Sequence, residues 1–179
     1  MPIAIETKGA LAAAAAALLL NGCAKTEAQD KPPADTRPHV VAANPIEAGR
    51  YLVRVGGCND CHTKDWDVTA GAVPEDKWLM GTGLGWQGPW GTTYPANLRL
   101  TVQNVTEDDF VTMLHTRKDK PPMPWMNVAV MHESDARAVY AFIKSLGPAG
   151  EPAPPPAAPG ETPKTPYIVV APPIMPAAN

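Results

Sequence analysis

Several common features are scarce or missing in this chain, and each absence removes a class of function. No basic run interrupts the sequence, and the formal charge is only -3 over 179 residues, so there is no electrostatic footprint for nucleic acid. The apolar run at residues 11–20 is too short to span a bilayer. No strand-then-helix context of the thioredoxin kind is visible. Cysteine is rare, with three in the whole chain, and histidine nearly so, with four. Proline and glycine are plentiful instead, at 22 and 14, which suits one modest domain flanked by segments without a packed core.

Two of the three cysteines sit together, in Cys58-Asn59-Asp60-Cys61-His62. Cys58 and Cys61 are about one helical turn apart, so both sulfurs can project from one side of the backbone towards the two vinyl groups of one porphyrin. His62 follows at once, which places an imidazole under the iron. The motif reads as a covalent c-type haem site. Two plainer readings compete. A bare Cys-x-x-Cys serves as a redox dithiol or as half of a zinc site. A closed zinc site needs more Cys or His at short spacing, whereas His39, His115 and His132 are isolated.

The third cysteine, Cys23, follows the apolar run as Leu20-Asn21-Gly22-Cys23. Residues 1–22 are expected to be a signal peptide, and the ending resembles a bacterial lipoprotein signal in which the cysteine is acylated. An ordinary secretory signal or an uncleaved anchor is the alternative. The expected location is the periplasm, with the chain tethered to the membrane through Cys23 or, failing that, soluble there. Export and the haem motif support one another, since bacteria attach haem c outside the cytoplasmic membrane. Residues 23–44 carry Pro, Asp, Lys and Thr without an apolar period and read as a flexible tether reaching roughly 25 Å.

Three helices are predicted beyond the tether. Asn44-Pro45-x-Glu47 opens the first, with Asn44 as cap and Glu47 closing a capping box, and Gly56-Gly57 ends it. Thr106 caps a second, with Phe110, Met113 and Leu114 at core spacing and His115 and Arg117 as exposed cations near its end. Ser134 caps the third, whose stripe of Val139, Phe142, Ile143 and Leu146 stops at Gly147-Pro148.

Residues 77–100 hold Trp78, Trp86 and Trp90 among glycines and read as an ordered loop wrapping the haem, with room for a short hairpin. One of these indoles, or Tyr94 or Asn97, is a candidate donor to a haem propionate, against ordinary packing for each. A second axial ligand is the decisive question, because it separates electron carriers from gas binders and peroxidases. Met123 lies between prolines in Lys120-Pro121-Pro122-Met123-Pro124-Trp125-Met126, a stiff stretch that can aim a thioether from a loop. Met80, Met113, Met126 and Met131 compete with it on local sequence.

Taken together, Ala48-Gly49-Arg50-Tyr51-Leu52, the Cys58-x-x-Cys61-His62 motif, Met123-Pro124-Trp125, Ser134-Asp135 and Tyr140-Ala141-Phe142-Ile143 with Lys144-Ser145-Leu146 resemble the bacterial class I cytochrome c family. Within it, they look like the monohaem domains of dehydrogenase cytochrome subunits. The resemblance covers residues 45–147, the expected cytochrome domain, and leaves residues 148–179 as a Pro/Ala-rich extended tail. It implies an all-α fold with crossing N- and C-terminal helices around one covalent haem c. Gly49 would let Phe142 approach closely. His62 and Met123 would be the axial ligands to iron, with Met126 the runner-up, and Pro124 would shape the Met loop. The implied role is electron transfer from a periplasmic donor such as a dehydrogenase to a downstream acceptor, with no substrate of its own. A haem-based sensor or peroxidase with an open or labile sixth position is the alternative, and an assembly subunit a third. The tail is expected to be disordered slightly more readily than docked on the domain or on a partner.

Overall fold

The computed structural model describes residues 36–174; Cys23, the expected signal peptide and most of the expected tether lie outside the described residues. Among the described residues, no helix is long and apolar enough to cross a membrane.

Helix α1, Pro45–Val55, starts where its sequence directs. The Asn44 side chain accepts the Glu47 N–H at 3.0 Å, and Pro45 fills the first turn, where no donor is needed. Glu47 closes no capping box; its carboxylate pairs with Arg50 at 2.6 Å. Gly57, at a φ of 68°, turns the chain directly into the short helix α2, Cys58–His62. After a 3-10 turn at Glu75–Lys77 come strands β1, Gly85–Gly88, and β2, Gly91–Thr93, and then helix α3, Leu98–Thr101. Helix α4, Glu107–Thr116, is capped by Thr106, whose hydroxyl accepts the Asp109 N–H at 3.1 Å. Helices α5, Trp125–Ala129, and α6, Glu133–Ser145, follow. The cap of α6 is His132, with Nδ1 accepting the Ser134 N–H at 3.1 Å, so Ser134 lies inside the helix that it was expected to start.

The architecture is not all-α, which corrects the expected class I cytochrome c fold. Strand β1 lies between β2 and β3, Tyr167–Val169, in a mixed three-stranded sheet. β1 and β2 form an antiparallel hairpin with Gly88 opposite Gly91, and β3 joins β1 in parallel with Gly85 opposite Tyr167 and Gln87 opposite Val169. The physical reason lies in the tail. Its Pro-rich start keeps the backbone extended and unable to fold back as a helix, and its β-branched end fits a pleated edge. The tail is therefore docked on the domain, against the expectation that leaned towards disorder.

The core is formed chiefly by α1, α4 and α6. Val53, Phe142 and Ile143 are completely buried, and Phe110, Leu114 and Val139 nearly so. Trp78 is also core rather than part of a wrapping loop. Its ring meets Trp66 edge-on at 5.2 Å and Phe142 at 6.1 Å, with Arg54 lying over both indoles. His115 is half-buried rather than exposed, with its Nε2 3.0 Å from the Met131 carbonyl.

α1 and α6 touch through Gly49. A Cβ there would stand 2.0 Å from the Ala138 carbonyl oxygen and 2.7 Å from the Phe142 Cβ, so the close approach inferred for this glycine and Phe142 is present. Gly49→Ala is expected to destabilise the chain by about 2 kcal/mol or more through overpacking against backbone that cannot retreat. Urea unfolding measures this, and an unchanged midpoint would contradict it.

Candidate functional site

Helix α2 is only five residues long and carries Cys58, Cys61 and His62. A helix this short has little stability of its own, so its position is set from outside. Asn59, wholly buried, accepts a hydrogen bond from the Thr63 hydroxyl at 2.7 Å, and that hydroxyl accepts the Leu79 N–H at 2.8 Å. The His62 carbonyl accepts the Gly81 N–H at 2.8 Å. Two residues of the motif spacer and exit thus tie α2 to the segment that follows Trp78.

The imidazole of His62 is aimed by a different neighbour. Its Nδ1 lies 2.7 Å from the Ala96 carbonyl oxygen. A carbonyl only accepts, so Nδ1 carries the proton and the lone pair is left on Nε2. The approach of the two segments depends on Gly81, at a φ of +75°, where a Cβ would stand 2.8 Å from both the Asn97 nitrogen and the Pro95 carbonyl oxygen. Burial lowers the His62 pKa, the Ala96 bond opposes this, and the nearby Arg117 guanidinium lowers it further. Neutral imidazole with a free Nε2 is the form that binds a metal.

Both thiols are held protonated. Burial pushes Cys58 up to about 11, and Asp60 and Cys61 add to the rise. Burial raises Cys61 as well, again with help from Asp60. A redox dithiol needs the opposite, a thiolate stabilised near neutral pH. Among the described residues, no group of three or more His, Cys, Asp or Glu side chains converges as a metal set. The donors present, two neutral thiols and one oriented imidazole on one short helix, have the chemistry that would suit covalent attachment of a haem.

Met123 lies on a separate segment, residues 120–124, which is fastened to the hairpin. The Thr93 hydroxyl donates to the Pro121 carbonyl at 2.8 Å, and the Lys120 ammonium donates to the Trp90 carbonyl at 3.3 Å. Met123 is half-buried, whereas Met126, on α5, is 54% exposed. Met113 and Met131 pack against the core, and Met80 packs under Gly150 of the tail.

Of the candidate propionate donors, Trp78 donates its indole N–H to the Val73 carbonyl at 2.8 Å. Asn97 donates both amide hydrogens to the tail, and the Tyr94 hydroxyl accepts from Thr165. The Trp90 indole N–H is buried without a hydrogen-bond partner among the described residues, and it is one of the candidates still available. The sequence reading missed Asn59, Thr63 and Ala96. Only Thr63 was discoverable, as a hydroxyl abutting the motif; Ala96 acts through its backbone and leaves no side-chain signal.

No family model matches the chain, and no solved structure matches it. Among curated proteins it is similar to the cytochrome c subunit of a quinone-type alcohol dehydrogenase from Gluconobacter oxydans (strain 621H), with 31% identity over 108 residues. The match takes in 55% of this chain and spans 20% of the length of that relative.

In the chain before any group is attached, Cys58 should resist alkylation. Because its pKa is raised to about 11, the reactive thiolate is scarce at neutral pH and grows roughly tenfold per pH unit up to that point. Labelling followed by mass spectrometry should show Cys58 at least about tenfold slower at pH 7 than in urea. Equal rates would contradict the burial of the thiol.

Proposed function

We propose that the chain is an exported monohaem c-type cytochrome that carries electrons between a redox donor and an acceptor. The observation that carries this reading is the His62 imidazole, neutral and held by the Ala96 carbonyl at 2.7 Å with Nε2 free, one residue from a Cys-x-x-Cys pair of protonated thiols. The similarity to a dehydrogenase cytochrome subunit supports it independently.

In this reading, Cys58 and Cys61 would hold the haem covalently, each by addition of its S–H across one vinyl C=C, so that a C–S bond and a C–H bond would form with nothing lost and no oxidant consumed. His62 would hold the iron through Nε2 and Met123 through its thioether, with Met126 the runner-up. The rivals to Met123 are engaged elsewhere: Met113 and Met131 in the core, Met80 beneath the tail. The bound haem supplies a one-electron iron couple, and ligation by His and Met raises its potential. Trp90 is the residue proposed to donate to a propionate, given its unpartnered buried N–H. With both residues holding the iron, the chain would suit a carrier rather than an enzyme. Residues 1–22 as a signal peptide, Cys23 as the acylated residue and periplasmic membrane tethering belong to the same proposal, with a dehydrogenase as the donor class.

Visible absorption spectra of the purified holoprotein, oxidised and reduced, test the ligand set. A low-spin spectrum with the weak long-wavelength band of thioether-ligated ferric haem is expected, abolished in Met123→Ala and retained in Met126→Ala. A high-spin spectrum that shifts on adding carbon monoxide would instead favour the sensor or peroxidase reading.

A further inference from the structure

Ala96 contributes no side chain to the site, yet its carbonyl takes the Nδ1–H of His62. Whatever fixes that carbonyl therefore helps to aim the imidazole. On the inner side, the Leu98 N–H donates to the Leu79 carbonyl at 2.9 Å. On the outer side, the Thr93 hydroxyl is held by the Pro121 carbonyl at 2.8 Å, and the other fasteners come from the chain beyond α6. Asn97 is buried and uses its whole amide: Oδ1 accepts the Leu100 N–H at 3.1 Å, while Nδ2 donates to the carbonyls of Ala149 at 2.8 Å and Glu151 at 3.1 Å. Thr92 exchanges both backbone hydrogen bonds with Ala157, at 2.9 and 3.1 Å. The Thr165 hydroxyl donates to the Tyr94 oxygen at 3.1 Å. The fit is close enough to require glycine at position 91, where φ is +95° and a Cβ would stand 2.2 Å from the Ala157 oxygen. Positions 92, 94 and 97 bracket Ala96, and one segment, residues 149–165, holds all three.

We infer that the segment after α6 is a positioning element for His62, and that Asn97 is the residue through which it acts. This rests on the reading of His62 as an iron ligand. Without the tail, the segment carrying Ala96 keeps its inner bond to Leu79 and the Thr93 bond to Pro121, but loses those at positions 92, 94 and 97. The carbonyl then swings, the Nδ1–H is held less of the time, and the imidazole is less firmly oriented.

The test uses the reduced holoprotein and follows exchange of the His62 Nδ1–H by NMR, alongside the backbone amides of α1 and α6. Two variants are compared with the full chain: one ending at Pro148, and Asn97→Asp, which keeps an oxygen acceptor for the Leu100 N–H but has no donor for the tail. Each should speed Nδ1–H exchange at least about tenfold while leaving the α1 and α6 amides unchanged, and combining them should add little to the truncation alone. Unchanged Nδ1–H exchange overturns the inference, as does an acceleration shared equally by the α1 and α6 amides, which would mean general loosening. If the truncated chain fails to fold, Asn97→Asp decides by itself. Failure of the haem reading is separately visible, as an unaltered chain that carries no covalent haem.

Discussion

The contact between α1 and α6 at Gly49 is the constraint on which the rest of the molecule depends. Backbone packs against backbone there, so the two helices are set at a distance that no other residue type allows. α1 ends at Val55, and Gly56-Gly57 lead straight into α2. The position of the thiols and the imidazole is therefore inherited from this helix pair, with only two glycines in between. Trp78, wedged against Phe142 of α6, passes the same constraint to the segment that receives Asn59, Thr63 and His62.

The electrostatics of the site follow from burial more than from charge. The thiols and the imidazole all lose solvent, and each is driven towards its neutral form. Arg117, the cation that bears on His62, is itself paired with Asp119. Neutral sulfur and neutral imidazole suit a group that is joined covalently and ligated through nitrogen. They do not suit thiolate chemistry.

Local signals in the sequence proved readable, and distant ones did not. Asn44 and Thr106 announce their helices because a capping side chain acts on donors three residues away. The same logic pointed to Ser134, but His132 offers a ring nitrogen two residues earlier and takes the role. The all-α expectation failed at β3, because a parallel pairing of Gly85 with Tyr167 joins segments that local periodicity cannot connect. Trp78 and Asn97 were legible as important but not in their partners, which are the Val73 carbonyl and the tail rather than a cofactor. Cys58, Cys61 and His62 are consecutive enough to share one short helix, whereas the carbonyl of Ala96 that orients His62 comes from a residue with nothing to advertise it.

The central claim is that one haem is joined to Cys58 and Cys61, and the most direct measurement is the intact mass of the denatured protein. The protein should come from cells that export it and attach haem c. The account predicts a polypeptide carrying the mass of one haem that survives denaturation, and the bare polypeptide mass when both cysteines are changed to alanine. A bare mass for the unaltered chain, with both thiols open to alkylation, would contradict it.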